Sequence, residues 1–439
     1  MRAARAASLM VAAALAAAAE LGAPVARAVS PPRIEDRWLP RPASPAPPWP
    51  TVQRQACAAI NADTEPRRPG PQTVLDLPRL WQFTRGAGQR IALIDTGVSR
   101  HPRLPDVVPG GDYVSAGDGT QDCDAHGTLV AAIIAASADP RPGGFSGVAP
   151  EATVISIRQS SVKFGPARDR SRAGVGDVET MAKAVRTAAD LGASVINISS
   201  VACAPATAPL DDRALGAALA YAVDIKNAVV VAPAGNTASD AGDSAQCPAQ
   251  RPDATWDTAT VAVSPAWYDD YVLTVGSVDA NGQPSGFTLP GPWVDVAAPG
   301  EAVTSLGARS LSGTSYAAPV VSGLAALIRA RFPALTARQV MQRIESTAHH
   351  PAGGRDPLIG EGSIDALAAI STDPVPTARG AEPSPLPFAA PAPAGPSSSR
   401  ARHAALRGTA GCLAALLVAV LIGAATRRLR GATDGVPRD

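Results

Sequence analysis

The sequence predicts an α/β protein, a mainly parallel sheet with helices on both faces, plus one C-terminal transmembrane helix. Three observations lead there. Between residues 75 and 372, short apolar runs of strand length alternate with longer helical stretches. Those runs are continuous, as in strands covered on both faces, and do not alternate apolar with polar. Close to the C-terminus, residues 408–426 form an apolar stretch without a charge.

In chain order, residues 1–28 read as a secretory signal. Arg2 and Arg5 flank an apolar and small-residue stretch at 6–19, and Ala26-Arg27-Ala28 offers a cleavage site. Residues 29–74 form a Pro-rich arm with Pro31, Pro32, Pro40, Pro42, Pro45, Pro47, Pro48 and Pro50. Prolines this dense disfavour helix and central strand, so the arm is either flexible or laid extended on a surface. Cys57 within it favours the second, because a disulfide would tie it down.

The globular region spans 75–372. Strand-length runs fall at 90–94, 152–157, 194–198, 228–232, 272–278 and 293–297. Helical stretches fall at 127–136, 178–191, 212–224 and 316–330. Thr336 with Gln339 reads as a capping box that opens a further helix. Residues 373–407 return to Pro, Ala and Ser and read as a semi-rigid stalk. A helix over 408–426 covers about 30 Å, the thickness of the bilayer's hydrocarbon core. Arg427, Arg428 and Arg430 follow in the tail 427–439, and positive residues stay in the cytoplasm. The expected topology is single-pass type I in the cell membrane, with the body outside.

Composition narrows the function classes. Lys+Arg 39 against Asp+Glu 38 leaves no basic footprint, so nucleic acid is not an expected partner. Of the five cysteines, Cys412 lies in the membrane segment. Cys57, Cys123, Cys203 and Cys247 form an even set suited to an oxidising compartment. Four cysteines allow three pairings, and spacing does not choose among them. No C-x-x-C pair supports zinc or thioredoxin-type chemistry. Asp118, Asp122 and Asp124 lack the spacing of an EF-hand loop and read as a solvated surface loop. No metal and no cofactor are expected.

Three motifs carry chemistry. The apolar strand Ile91-Ala92-Leu93-Ile94 ends on Asp95-Thr96-Gly97, at the sheet edge where open α/β folds place their sites. An aspartic protease would need two such carboxylates sharing a proton, and one Asp-Thr-Gly is present. His126-Gly127-Thr128 opens an apolar helix, where the helix dipole disfavours a charged imidazole. Gly313-Thr314-Ser315-Tyr316-Ala317-Ala318-Pro319 opens another. A serine there can be an N-cap. It can also be a nucleophile that gains from the helix N-terminus.

The order Asp, His, Ser on an α/β pattern resembles the subtilase family, whose arrangement of the triad it matches. The resemblance rests on these three segments and on Pro233-Ala234-Gly235-Asn236, over about residues 75–370. It implies a subtilisin-like fold and a serine endopeptidase acting on protein substrates. It implies Asp95, His126 and Ser315 as the triad and Asn236 as the oxyanion donor. It also implies Ser199, Ser200 and Val201 as a wall of the primary specificity pocket.

Within that family the chain resembles the mycosins, membrane-anchored proteases of type VII secretion systems. The supporting features are the signal, the arm with Cys57, Asn197-Ile198-Ser199 followed by Cys203, Ala232-Pro233-Ala234-Gly235-Asn236, Cys247, and the stalk before one membrane helix. This resemblance implies the pairs Cys57–Cys123 and Cys203–Cys247, an arm wrapped on the catalytic domain, and a type VII secretion membrane complex as partner. A mainly structural role in that complex, with secondary proteolysis, is the alternative.

Overall fold

The computed structural model describes residues 29–60, 75–139, 144–237, 246–307 and 310–373. The expected signal, stalk and transmembrane helix lie outside the described residues. Among those described, no helix is long and apolar enough to cross a membrane.

The strands in chain order are β1 Thr51–Gln53, β2 Arg90–Asp95, β3 Val107–Asp112, β4 Thr153–Arg158, β5 Phe164–Pro166, β6 Val195–Ile198, β7 Ala202–Pro205, β8 Val229–Pro233, β9 Val261–Ser264, β10 Leu273–Val278 and β11 Val296–Pro299. Seven form one sheet in the order β11-β10-β8-β6-β2-β4-β3, and every pair in it is parallel. β6, β8, β10 and β11 are buried at every position. Such strands need cover on both faces, which explains why they are mostly apolar, with Asn197, Thr274 and Ser277 as buried polar exceptions.

The cover comes from helices. Helix His126–Ala135 packs on helix Thr314–Arg331, and the latter lies across β6, β8, β10 and β11. Helix Val178–Asp190 packs on helix Arg213–Ala220 and against β2, β4 and β6. Ala, Val, Leu and Ile fill the central helix from Ala317 to Ile328, and nearly all are fully buried. One polar pair bridges helix and sheet inside this core: the Ser322 hydroxyl donates to Asn197 Oδ1 at 2.7 Å. Neither group is then left unpaired where water cannot reach.

Some boundaries depart from the sequence reading. The run at 293–297 becomes a strand only at Val296, because a turn places Trp293 and Val294 in the core first. The stretch 212–224 is helix only to Ala220 and continues as a π-turn at Tyr221–Ile225. Asp212 does not cap that helix. Its carboxylate accepts from Ser264, Trp267 and Tyr268 instead. The Thr336–Gln339 capping box forms as read, with both reciprocal bonds present.

The Pro-rich segment runs over the surface. Residues 40–48 face Tyr113 and helix Val178–Asp190. β1 pairs with β5, and Ala58 N–H donates to Cys123 O. Cys57 is bonded to Cys123 and Cys203 to Cys247.

Candidate active site

Asp95 is the last residue of β2, at the open end of the sheet, and only 2 % exposed. The chain must then turn sharply away. Gly97 does so at φ +98°, and a Cβ there would stand 2.1 Å from Gln121 O. Gly127 has a matching constraint. A Cβ on it would lie 2.1 Å from Gly97 O and 3.1 Å from Asp95 Oδ1. The helix that starts at His126 can approach the strand end only because position 127 carries no side chain.

That approach puts His126 Nδ1 at 2.8 and 3.0 Å from the two oxygens of Asp95. An ionised carboxylate only accepts, so Nδ1 carries the proton and Nε2 is left as an acceptor. Ser315 Oγ stands 3.0 Å from Nε2. The hydroxyl therefore donates to the imidazole, which donates to the carboxylate. The Tyr316 ring stands 5.2 Å from the imidazole.

The electrostatics correct one expectation. Burial pulls the His126 pKa down. The charge of Asp95 and its hydrogen bond push it up, and Asp122 and Asp124 add to the rise. The net is a pKa above the ordinary histidine value. Whole carboxylate charges at short range outweigh the fractional charge of a helix end.

Ser315 is the second residue of its helix, and the N-cap position belongs to Gly313 at φ +151°. Ser315 is thus not a cap. Its N–H is one of the first-turn donors that no helical carbonyl reaches. Pro319, one turn on, has no N–H to give to the Ser315 carbonyl.

Asn236 follows β8 through Ala234 and Gly235, the latter at φ +101°. Its Oδ1 accepts from Thr314 N–H and from the Thr314 hydroxyl, each at 2.9 Å. Two donors on one atom fix it as the oxygen, so Nδ2 faces the other way. A Cβ built on Gly313 would lie 3.5 Å from Ser315 Oγ and 3.6 Å from Asn236 Nδ2. Nucleophile and donor therefore border one space, open to a reacting carbonyl. The arrangement can attack a carbonyl, accept a proton and hold an oxyanion.

The segment Ser199-Ser200-Val201 borders the same loop. A Cβ on Gly235 would lie 3.4 Å from a Val201 methyl and 3.1 Å from Cys247 Sγ. Ser199 Oγ turns inward to Asn197 Nδ2 at 2.6 Å, and Ser200 Oγ is buried without a hydrogen-bond partner among the described residues. Thr314 was not singled out in the sequence, and its orienting role has no spacing signal. The acidic run also needs correction. Asp118 is exposed, but Asp122 and Asp124 are half-buried and bonded to other segments. Among the described residues no cluster of His, Cys, Asp and Glu is arranged to hold a metal.

Comparison with known proteins agrees with the geometry. Residues 86–374 match the subtilase family. The chain is 63% identical to Mycosin-4 of Mycobacterium tuberculosis (strain ATCC 25618 / H37Rv), covering 98% of each chain. It is similar to the structure of MycP1, a serine protease described as an essential component of the type VII (ESX-1) secretion system. The TM-score is 0.72 at 43% identity, over 78% of this chain and 100% of that one. It is also similar to a chain of an intact ESX-5 inner membrane complex, with TM-score 0.69 and 40% identity, over 91% of this chain and 100% of that one.

Proposed function

The chain belongs to the subtilase family, among the mycosins, and we propose on that premise that it hydrolyses peptide bonds through an acyl-enzyme on Ser315. The hydrogen-bonded line from Ser315 through His126 to Asp95 carries this reading. Ser315 Oγ attacks the scissile carbonyl as its proton passes to His126 Nε2. Asp95 holds the imidazolium that forms. Asn236 Nδ2 and the Ser315 N–H take the oxyanion. His126 then gives its proton to the leaving amine, and water repeats the sequence to free the acid.

The working domain is residues 75–372, with the arm at 29–74 laid on it. A signal at 1–28 directs export, and the helix at 408–426 anchors the chain after the stalk at 373–407, leaving 427–439 in the cytoplasm. The partner is an inner-membrane complex of type VII secretion, the setting of the ESX-5 relative. Ser199, Ser200 and Val201 wall the pocket for the residue before the cleaved bond.

A fluorophosphonate label on the purified full chain tests the chemistry. Labelling at Ser315, lost in Ser315→Ala, is expected, and an unlabelled wild-type chain would sink the reading. A second reading, a structural part of the secretion complex, is favoured by the relative's place inside such a complex. If Ser315→Ala restores secretion to a deletion strain, scaffolding is the role that secretion needs.

A further inference from the structure

Asp122 touches none of the reacting atoms, yet five donors converge on its carboxylate. Oδ1 accepts from the Thr96 hydroxyl at 2.9 Å, from Asp124 N–H at 3.0 Å and from Ala125 N–H at 2.8 Å. Oδ2 accepts from Thr128 N–H at 2.8 Å and from the Thr128 hydroxyl at 2.7 Å. These donors come from two places. Thr96 directly follows Asp95 on the strand end. Asp124, Ala125 and Thr128 bracket His126 on both sides. Thr96 Oγ1 in turn accepts from Gly127 N–H at 2.9 Å, which closes the junction.

Two further features set this residue apart. Ala125, at the N-cap position, has φ +65°. A non-glycine residue there costs about 1 kcal/mol or more and persists only when its surroundings hold it. The Asp122–Ala125 bond is part of that hold. Asp118, four residues earlier in the same loop, makes an instructive contrast. It is exposed, and its carboxylate accepts from the N–H and hydroxyl of Thr120, two residues on in the same loop.

We propose that Asp122 is the positioning residue of the catalytic pair. By gripping Thr96 and the Asp124–Thr128 turn together, it sets how Asp95 meets His126, and its charge supports the imidazolium that forms in turnover. The proposal rests on the protease reading above. The charged groups facing the imidazole are Asp95 on the strand and Asp122 and Asp124 in the turn; from the Ser315 helix comes the uncharged Tyr316 ring. The pKa of Asp122 itself is raised: burial lifts it, the bonds from Thr128 and Thr96 oppose the rise, and the charge of Asp95 adds to it.

The test is the rate of fluorophosphonate labelling at Ser315, split into maximal rate and half-saturating concentration, across pH and per folded molecule. Asp122→Asn keeps the shape but turns an amide NH2 toward at least one backbone N–H. Its maximal rate should fall about tenfold to a hundredfold, as for a small misplacement of reacting groups. The half-saturating concentration should stay within about twofold. The acid limb should move to lower pH by a few tenths of a unit or more, because a charge that favoured the imidazolium is gone. Asp118→Asn should leave rate and limb unchanged. Thr128→Val removes one donor to Asp122 and the acceptor of Ser99 N–H while leaving the carboxylate in place, so it should slow labelling with a smaller shift of the limb than Asp122→Asn.

A folded Asp122→Asn with wild-type rate and limb overturns the proposal. If that variant does not fold, a wild-type rate in Thr128→Val overturns it instead. Failure of the wild-type chain to label at Ser315 removes the protease reading and this proposal together. Labelling of wild type with no change in the variants removes this proposal alone.

Discussion

The Thr314 hydroxyl lies 2.9 Å from Asn236 Oδ1 and takes a 3.2 Å bond from Gly235 N–H. The residue just before the nucleophile thus decides which way the oxyanion amide points. Neither Thr314 nor Gly235 can adjust freely, since Thr314 is fully buried and Gly235 is held at positive φ.

Asn236→Ala should lower kcat by about a hundredfold to a thousandfold with KM little changed, because the donor acts on charge that develops only in the transition state. Thr314→Val should cost about tenfold in kcat. It should also cost about 1–3 kcal/mol of stability, since a buried Gly235 N–H loses its acceptor. Both are read from progress curves and denaturant melts. A Thr314→Val chain with wild-type kcat would break the proposed orientation of the amide.

Asp95→Asn keeps the shape of the pair and loses its logic. An amide can offer N–H to Nδ1, which turns the imidazole to the tautomer whose Nε2 carries the proton. That nitrogen can no longer accept from Ser315. The expected loss in kcat is about ten-thousandfold, with the fold retained by circular dichroism. A loss under about tenfold would mean that Asp95 does not orient His126.

The raised pKa of His126 has two consequences of known sign. Activity needs the neutral imidazole, so the acid limb of kcat/KM should fall above about pH 6.5, the ordinary histidine value. Stability runs the other way. A group that binds its proton more tightly when folded contributes fully below its unfolded pKa, and that contribution is lost as pH rises through the folded pKa. Wild type minus His126→Gln in melting temperature should therefore be largest below about pH 6.5 and shrink above it. A difference that grows with pH would contradict the sign.

Much of this was readable in the sequence because burial leaves a strong pattern. β2, β4, β6 and β8 are mostly apolar runs, broken inside only by Ser156 and Asn197, and their ends fall within a residue or two of the expected places. β3 was missed because Pro109, Gly110 and Gly111 dilute it. An edge strand tolerates them, and the pairing slips at that point. β1 with β5 and β7 with β9 were missed because each pair joins short segments far apart in the chain. The triad segments were legible as motifs, and the structure brings the four named side chains together. Asp122 was misread as solvated because its partners, Thr96 and Thr128, come from two elements that meet only in the fold. An acidic residue shortly before a helix start was the available signal.

Gly127→Ala tests the close approach directly. The new methyl would press on Gly97 O and Asp95, backbone and a buried carboxylate, neither of which is a flexible side-chain end. The helix start must back away, and His126 with it. Overpacking of this kind costs about 1–3 kcal/mol. The retreat should also lower kcat by about a hundredfold, as a displacement near 1 Å does. Unchanged melting and kcat would show that the helix start has slack that the packing denies.

The Cys203–Cys247 bond should matter for activity as well as stability. It closes a separation of 44 residues, and a loop of that length stabilises by up to about 4 kcal/mol when cross-linked. Cys247 N–H also donates to the Asn236 carbonyl at 3.0 Å, and its sulfur borders Gly235. A Cys203→Ser/Cys247→Ser chain should therefore lose about 2–4 kcal/mol in denaturant melts. Its kcat should fall too, because one anchor of the loop that presents Nδ2 is loosened. The Cys57–Cys123 bond closes 66 residues and should give a similar loss of stability. Its effect on kinetics should enter through His126, as a shifted acid limb, since Cys123 sits between Asp122 and Asp124, two of the three carboxylates that face the imidazole. If, per folded molecule, the Cys203/Cys247 variant keeps wild-type kcat and the Cys57/Cys123 variant keeps the wild-type pH profile, the two bonds act on stability alone and the separate couplings to Asn236 and His126 fall.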